Sequence, residues 1–386
     1  MKDLTLADFF ANYPHITLAS PDDNNDILDF YHRQSLSSAE SEIIYARGND
    51  FFSFLKERSD SFLVIIMRDD KNVMQGMGVL SFRPGHIDGK AVTVGYLGDL
   101  RIKMNRNMVR EWRLMYANLM RLSPQMKEMH HCVHYQTVLI DENTMSKNNL
   151  AATKIPNLHY HRLTSYRMVN IIGHVKKNKY VFHFRFATSF DKNLIADFLS
   201  SAVKKSLFAH DWTLEFERRL KTWNNFDITN YLLCFDQRGN LLAVTSLWSP
   251  VETKQIHLTK IPSTLKYLHK ILQVVPFVEV KKLPRPNAPL DILYVNQIVF
   301  EDNLIDSEKK MITNEIMHFS FKKNFHVLAY ADFENENYLD GTKKLFMQKM
   351  QMALFSVHYK DDDNNIATPI LWSFNDAAPT FDMSLV

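Results

Sequence analysis

The run Val94-Gly95-Tyr96-Leu97-Gly98-Asp99-Leu100-Arg101-Ile102-Lys103, followed at once by Asn105-Arg106-Asn107-Met108-Val109-Arg110, decides the reading of this chain. It predicts a strand that runs into the first turn of a helix. The first N–H groups of a helix have no partner inside it, so such a junction holds anions, a pyrophosphate among them. The helix is read from about Asn107 to Leu122. Met108, Trp112, Met115, Tyr116 and Leu119 fall at helical spacing, and Pro124 ends it.

Glycine around this run is unevenly spread. Seven of the 10 glycines precede residue 100, and only Gly173, Gly239 and Gly341 follow. A phosphate-cradling loop needs glycine for close backbone approach, so the second half contains no Gly-rich nucleotide loop. Neither GxGxxG nor GxxxxGK[ST] occurs, which removes the Rossmann and P-loop readings.

Length and composition set the frame. A chain of 386 residues is long for one core, and two domains are expected. With 46% hydrophobic residues and 27 Phe, it is rich enough in apolar side chains to fold throughout. The net charge of +3, from 46 basic and 43 acidic residues, is too even for bulk nucleic-acid or membrane binding, so neither partner is expected. Cys132 and Cys234 lie far apart in apolar runs and build no disulfide framework. The acidic start of the chain does not read as a signal peptide. A reducing, cytoplasmic setting follows as the expectation.

Outward from the central run, the first half reads β-α-α-β-β-β-α-β-α-β. Strands are expected near His15 to Ser20, Ser61 to Met67, Val73 to Phe82, Lys90 to Ile102, His131 to Ile140 and Tyr160 to Ile172. Helices are expected over Asn25 to Gln34, Ser38 to Arg58 and Met145 to Ala152. A similar order begins again after Lys176-Lys177-Asn178-Lys179. Strands are read at Tyr180 to Thr188, Asn230 to Phe235, Asn240 to Trp248, Asp291 to Phe300, Phe325 to Phe333 and Leu354 to Tyr359. Helices are read at Leu194 to Lys204, Thr213 to Trp223, Ser263 to Gln273, Ser307 to Lys323 and Leu339 to Ala353. The expectation is two copies of one α+β (α/β) architecture, residues 1–173 and 180–386, each a mixed, mostly antiparallel sheet flanked by helices.

The first half resembles the GNAT superfamily of acyl-CoA N-acyltransferases over nearly its whole length. In that family the fourth strand bonds the pantetheine arm, and the next helix opens with [Q/R]-x-x-G-x-[G/A], whose amides hold the pyrophosphate. Laid on this chain, the strand is Tyr96 to Lys103 and the Gln/Arg position is Arg106. The glycine positions fall on Val109 and Glu111. The resemblance implies an acyl-CoA cosubstrate, acetyl-CoA or another. It would be held by Leu100, Arg101, Ile102, Arg106, Asn107, Met108, Val109 and Arg110. Thr137 to Asn143 resembles the fifth strand and its exit, adding Asn143 and Asn148 to the cofactor set. The Tyr that often protonates the thiolate in this family has no counterpart in Leu150-Ala151-Ala152-Thr153. In the second half, acidic Asp306 and Glu308 stand where the pyrophosphate would lie, so one cofactor site per chain is expected.

For catalysis the resemblance points to Asp99 and Tyr96. Asp99 either accepts a proton near the thioester or pairs structurally with Arg101 or a neighbouring helix. Tyr96 either lines the acceptor pocket or packs as an ordinary strand tyrosine. His130, Cys132 and His134 alternate onto one strand face, but same-face neighbours ~7 Å apart suit one metal ion poorly, and no metal is expected. Two function classes stay open. One is N-acyl transfer, as an acetyltransferase or a relative, to a small-molecule or protein amine. The other is a non-catalytic binding protein on the same fold. Either is compatible with an oligomer.

Overall fold

The computed structural model describes residues 4–33, 35–37, 42–103, 105–141, 155, 157–202, 206–259, 261, 263–285, 287–360 and 379–386. Among the described residues, fifteen strands form one sheet. The first half supplies Ile16–Leu18, Ser61–Arg68, Met74–Ile87, Lys90–Ile102 and His134–Ile140 in that spatial order. The second half mirrors it with His183–Phe186, Tyr231–Phe235, Leu241–Trp248, Ile292–Val295 and Val327–Phe333. Most neighbours are antiparallel. The exceptions are Lys90–Ile102 beside His134–Ile140 and Ile292–Val295 beside Val327–Phe333, which run parallel.

Between the two sets the chain exchanges its last strands. Leu345–Tyr359, from the second half, pairs with His134–Ile140 of the first. Leu158–Val175, from the first half, pairs with Val327–Phe333 of the second. The two exchanged strands also pair with each other along almost their full length. The boundary read at 173–180 therefore falls at the end of a strand embedded in the other half's side of the sheet.

Strand alternation fixes the layers. Val64 and Ile66 enter a core with Phe51, Phe54, Trp212, Phe216, Trp223 and Trp248, drawn from both halves. Ile65 and Met67 point to the opposite face, against Trp112, Met115 and Leu119 of helix Arg106–Leu122. In the second half, Val244 and Trp248 face the shared core, while Ala243 and Leu247 face helix Asp306–Ser320. Trp223 and Trp248 stack at 4.1 Å within the shared core. Gly95 is required by close approach, because a Cβ there would stand 2.4 Å from the Tyr135 ring.

Three sequence expectations change. The helix expected over Ser38 to Arg58 is a strand, Glu42–Arg47, and a shorter helix, Phe51–Arg58. The break is Gly48-Asn49-Asp50, where the Asp50 side chain accepts from the Phe52 N–H as the helix cap. The strand finds partners more than 200 residues away, Lys254–Leu258, which no local propensity announces. The helix expected over Leu339 to Ala353 gives way to the 15-residue strand Leu345–Tyr359. Its Met-, Gln- and Lys-rich first part favours helix locally, but pairing with Leu158–Val175, joined on the other edge by His134–Ile140 from Met352 onward, outweighs that preference, while the strand read at Leu354 to Tyr359 stands. The strand expected over Asp291 to Phe300 breaks at Asn296–Ile298 into Ile292–Val295 and Val299–Phe300. The helix expected over Met145 to Ala152 lies outside the described residues.

Because each half completes the other's sheet and one core spans both, a single cooperative unfolding transition is expected. Far-ultraviolet dichroism and tryptophan fluorescence, followed through urea, should share one midpoint. Two resolved transitions would show that the halves unfold separately.

Candidate functional site

The strand quoted first reaches the centre of the molecule and there stops behaving as a strand. It pairs in parallel with its neighbour only at Val94, Gly95 and Tyr96, opposite His134, Tyr135 and Gln136. Beyond that the two strands diverge. Thr137 Oγ1 still donates to the Leu97 carbonyl at 2.8 Å. On its other edge the first strand bulges, since Val79 pairs with Gly98 but Met77 pairs with Arg101. Asp99 sits in the bulge with φ of 52°. A bulge leaves the extra residue out of the ladder and re-aims its neighbours.

The divergence opens a cavity of about 380 Å³. Leu97 to Arg101 and Thr137 to Ile140 form two of its walls. Met168, Asn170, Ile292, Met350 and Met352, from the exchanged and second-half strands, close it with Tyr166 and Tyr294. The Tyr166 hydroxyl is buried and has no hydrogen-bond partner among the described residues. A smaller pocket of about 50 Å³ adjoins it, sharing Leu97, Gly98, Leu100 and Thr137 and reaching Trp112, Met115 and Tyr116.

Of the expected site residues, Tyr96, Asp99, Leu100 and Arg101 line this cavity. Ile102 pairs with Gly76 at the strand end. Arg106, Asn107 and Arg110 are exposed at the helix start, Met108 is buried in the core, and Val109 is half-buried. The Asn105 side chain caps that helix, accepting from the N–H groups of Asn107 at 3.1 Å and Met108 at 3.5 Å. Glu111 is engaged elsewhere: its carboxylate stands 2.7 Å from His15 Nδ1. Asn143 and Asn148 lie outside the described residues. His130, Cys132 and His134 are not gathered, because His130 and His131 form a left-handed turn before the strand. Cys132 is buried in the core.

The charged groups that complete the cavity were not legible in the sequence. Arg47 and Lys254 sit opposite each other on paired strands from the two halves. Arg58 comes from helix Phe51–Arg58 and Tyr31 from helix Asn24–His32. Asp99 Oδ1 accepts from Arg47 at 2.8 Å and from the Tyr31 hydroxyl at 3.2 Å, and Oδ2 lies 3.4 Å from Arg58. Arg101 stacks on the Tyr31 ring at 3.8 Å. Burial pushes the Asp99 carboxyl up, but Arg47, Arg58 and Arg101 outweigh it and hold it down to about 2. Such a carboxylate is a counter-ion rather than a ready proton acceptor.

Lys254 is in the opposite condition. It is buried, and burial first, then Arg47 and Arg58, depress its amine well below the usual lysine range against the pull of Asp99. Its Nζ lies 3.4 Å from the Met383 carbonyl and 3.3 Å from that of Ser384. The Nζ group donates to both carbonyls.

The mirror-related divergence in the second half opens a cavity of about 300 Å³. Glu301, Asp302, Asp306 and Glu336 line it with Lys309, and helix Asp306–Ser320 starts there with Asp306 and Glu308. Those acids suit the positive end of the helix and oppose a phosphate.

A buried ion cluster, Arg219 with His210, Glu215 and Asp382, stands behind the first cavity. Arg219 Nε is 2.7 Å from Glu215, and His210 Nε2 is 2.7 Å from Asp382. The three ligand-type side chains lie within 4.8 Å of one another. Arg219 already bonds each of them and Arg218 grips both oxygens of Glu215, so two guanidiniums balance the two carboxylates without an ion.

Two halves built alike, each with parallel central strands that part, and a bulge on the first, define the tandem GNAT-type N-acyltransferase fold. Solved structures agree. A crystal structure of Saccharomyces cerevisiae N-myristoyltransferase with bound myristoyl-CoA is similar at TM-score 0.54 and 9% identity, covering 92% of this chain and 83% of that one. A second, with bound myristoyl-CoA and inhibitors, gives 0.54 at 10% identity, covering 93% and 87%. A third gives 0.52 at 10% identity, covering 93% and 90%. Identity this low speaks to fold. No protein-family model and no curated protein matches the chain.

Two predictions follow from the charges. Asp99→Asn leaves Arg47 and Arg58 buried without their counter-charge and should cost about 3–5 kcal/mol, read as a lower urea midpoint. The second concerns pH. Burial, Arg83 and Arg219 depress His210 from its ordinary 6.5 to about 4, despite Asp382. The unfolded chain therefore binds this proton more tightly. Stability should fall as pH drops from 6.5 toward 4, by up to about 3 kcal/mol from this group. Glu57, pushed up to about 7 by burial, works the other way between 4.5 and 7. Glu57 offsets much of that fall in the wild type, so the His210→Asn variant should gain stability relative to wild type as pH drops from 6.5 toward 4, by up to about 3 kcal/mol. A difference between the two that stays constant over that range would assign the pH dependence to other groups.

Proposed function

We propose that the chain is an acyl-CoA-dependent N-acyltransferase whose central cavity holds the acyl thioester and whose acceptor is an amine. The observation that carries this reading is the parted pair of parallel strands, with its bulge at Asp99, opening onto a cavity of about 380 Å³. Parallel sheets place ligands at such carboxyl ends, where strands diverge. Leu100 and Arg101 would border the pantetheine arm, and Arg106 and Arg110 are exposed where a phosphate would arrive. The Tyr166 hydroxyl, unpartnered among the described residues, supports a polar ligand group within reach.

The acyl group we favour is longer than acetyl. The similar yeast enzymes carry myristoyl-CoA. Here the wall built from Met168, Met350, Met352, Leu139 and Ile140 would be left largely uncovered by an acetyl group. The acidic second-half cavity supports one cofactor per chain.

In this proposal Lys254 is the proton acceptor. The incoming ammonium gives a proton to the neutral Lys254 amine, and the freed amine attacks the thioester carbonyl carbon. The C–N bond forms as the C–S bond breaks. The nitrogen sheds a second proton, one proton ends on the departing thiolate, and the other leaves to solvent. Backbone N–H groups released from the ladder at the bulge would polarise the carbonyl. Asp99 would hold Arg47 and Arg58 in place, and Tyr96 would wall the acceptor side.

A second reading has its own support. Asn105 occupies two N–H groups at the helix start, and Asp99 is tied up by arginines. Both features suit a protein that binds acyl-CoA or a related ligand without turnover.

The test is a series of acetyl-, butyryl-, octanoyl- and myristoyl-CoA, with binding read by thermal shift and turnover by thiol release in the presence of amines. A ligand at 100 times its Kd should add about 2.7 kcal/mol of stability. The longer acyl-CoAs should stabilise more than acetyl-CoA, at one site per chain by calorimetry. Lys254→Met should keep binding and lower kcat by roughly 10²–10⁴-fold. Binding without thiol release for any amine would favour the second reading. No stabilisation by any acyl-CoA would overturn both.

A further inference from the structure

Helix Ser263–Gln273 and the turn after it carry four large apolar side chains in solvent. Tyr267 is 68% exposed, Ile271 43%, Val274 79% and Phe277 63%. Tyr267, Ile271 and Val274 are spaced four and three residues apart, so they share one helical face.

This exposure is not fraying. On the inner face of the helix, buried His269 places Nε2 2.7 Å from the Lys281 carbonyl oxygen. Strand Val278–Val280 pairs with Gly173, His174 and Val175. The Lys176 N–H donates to the Phe277 carbonyl at 2.8 Å, and its Nζ donates to that of Pro276 at 3.2 Å. The apolar face is therefore held outward by a fixed frame.

The same segment is basic. Lys266 and Lys270 are exposed beside the apolar stripe, and Lys282 and Arg285 are exposed just beyond it. From Thr253 to Val278 the sequence contains no Asp or Glu. The next acid, Glu279, is already met by Lys281 at 3.1 Å and His174 at 3.4 Å. The even charge of the whole chain conceals this local excess.

An apolar stripe rimmed by lysines selects its occupant. A nucleic acid would satisfy the lysines and leave Val274 and Phe277 in water. An anionic lipid surface satisfies both, because the apolar side chains enter the acyl boundary while the lysine stems reach back to the phosphates. We propose that helix Ser263–Gln273 and the turn to Phe277 dock this protein on anionic lipid surfaces. The proposal stands apart from the acyltransferase reading, since none of these side chains lines the central cavity.

The experiment is vesicle flotation with the full chain, comparing phosphatidylcholine alone with phosphatidylcholine containing phosphatidylserine. The protein should float with the mixed vesicles, stay behind with the neutral ones, and be released by salt of about 0.5 M. Val274→Ser with Phe277→Ser should weaken binding about tenfold or more. Lys266→Gln with Lys270→Gln should weaken it about 30-fold. All four positions are exposed, so an unchanged thermal midpoint will show that both variants are folded. Failure to float with mixed vesicles overturns the proposal. So does flotation that either double variant leaves intact. Capture of an RNA oligonucleotide that displaces the vesicles and ignores the Val274 and Phe277 changes would assign the face to nucleic acid instead.

Discussion

Everything at the centre of this molecule depends on the exchange of two strands. Leu345–Tyr359 and Leu158–Val175 pair along their length, and each closes the sheet of the half it does not belong to. Strand edges left open would expose a row of unpaired backbone groups, and the exchange removes both at once. It also makes the cavity a joint product. Its bulged wall comes from the first half, and its methionine wall comes from exchanged and second-half strands. The partners lie some 200 residues apart in sequence, a topology whose long-range pairings form late and slowly.

The charges inside obey the same joint logic. Arg47 and Lys254 face each other across a strand pair that links the halves, and Asp99 supplies the nearest negative charge. Burying cations without compensation is costly, so the carboxylate is drawn into a structural role and the lysine amine is driven toward neutrality. The segment 379–386 threads between them. Arg58 Nε donates to the Leu385 carbonyl at 2.6 Å, Ser384 Oγ to Asn296 at 2.7 Å, and Asp382 closes the ion cluster around Arg219. One short segment thus ties together helices and strands from both halves.

Duplication of the architecture did not duplicate the chemistry. The two parted strand pairs open cavities of comparable size, about 380 and 300 Å³, but with opposite polarity. Arginines and a lysine surround the first, and four carboxylates line the second. The Asp306–Ser320 helix that begins beside the second starts with acids, which its own dipole favours and a phosphate would not. Geometry common to both halves fixes where a ligand can enter. Side-chain charge decides which ligand is tolerated.

The sequence by itself determined the elements whose signals are local. The strand through Gly95 and Gly98, the helix from Arg106 with its Trp112, Met115 and Leu119 stripe, and the repeat of their order all follow from periodicity and punctuation. That was enough to recognise the fold and to single out Tyr96, Asp99, Leu100 and Arg101, which the structure sets on the cavity wall. Glu42–Arg47 hid in a helix-like run, although Ile43, Ile44 and Tyr45 before Gly48-Asn49-Asp50 were a strand signal. Leu345–Tyr359 carried such a signal only from Leu354 onward; over Leu345 to Ala353 its helical preference was reversed by pairing with Leu158–Val175. Only the tertiary structure brought Arg47, Arg58 and Lys254 to Asp99, because charge–charge distances between elements are set by packing and leave no periodicity in the chain. The protonation state of each group, and so what chemistry it can perform, was decided there too: it depends on burial and neighbouring charge, which exist only once the chain is folded.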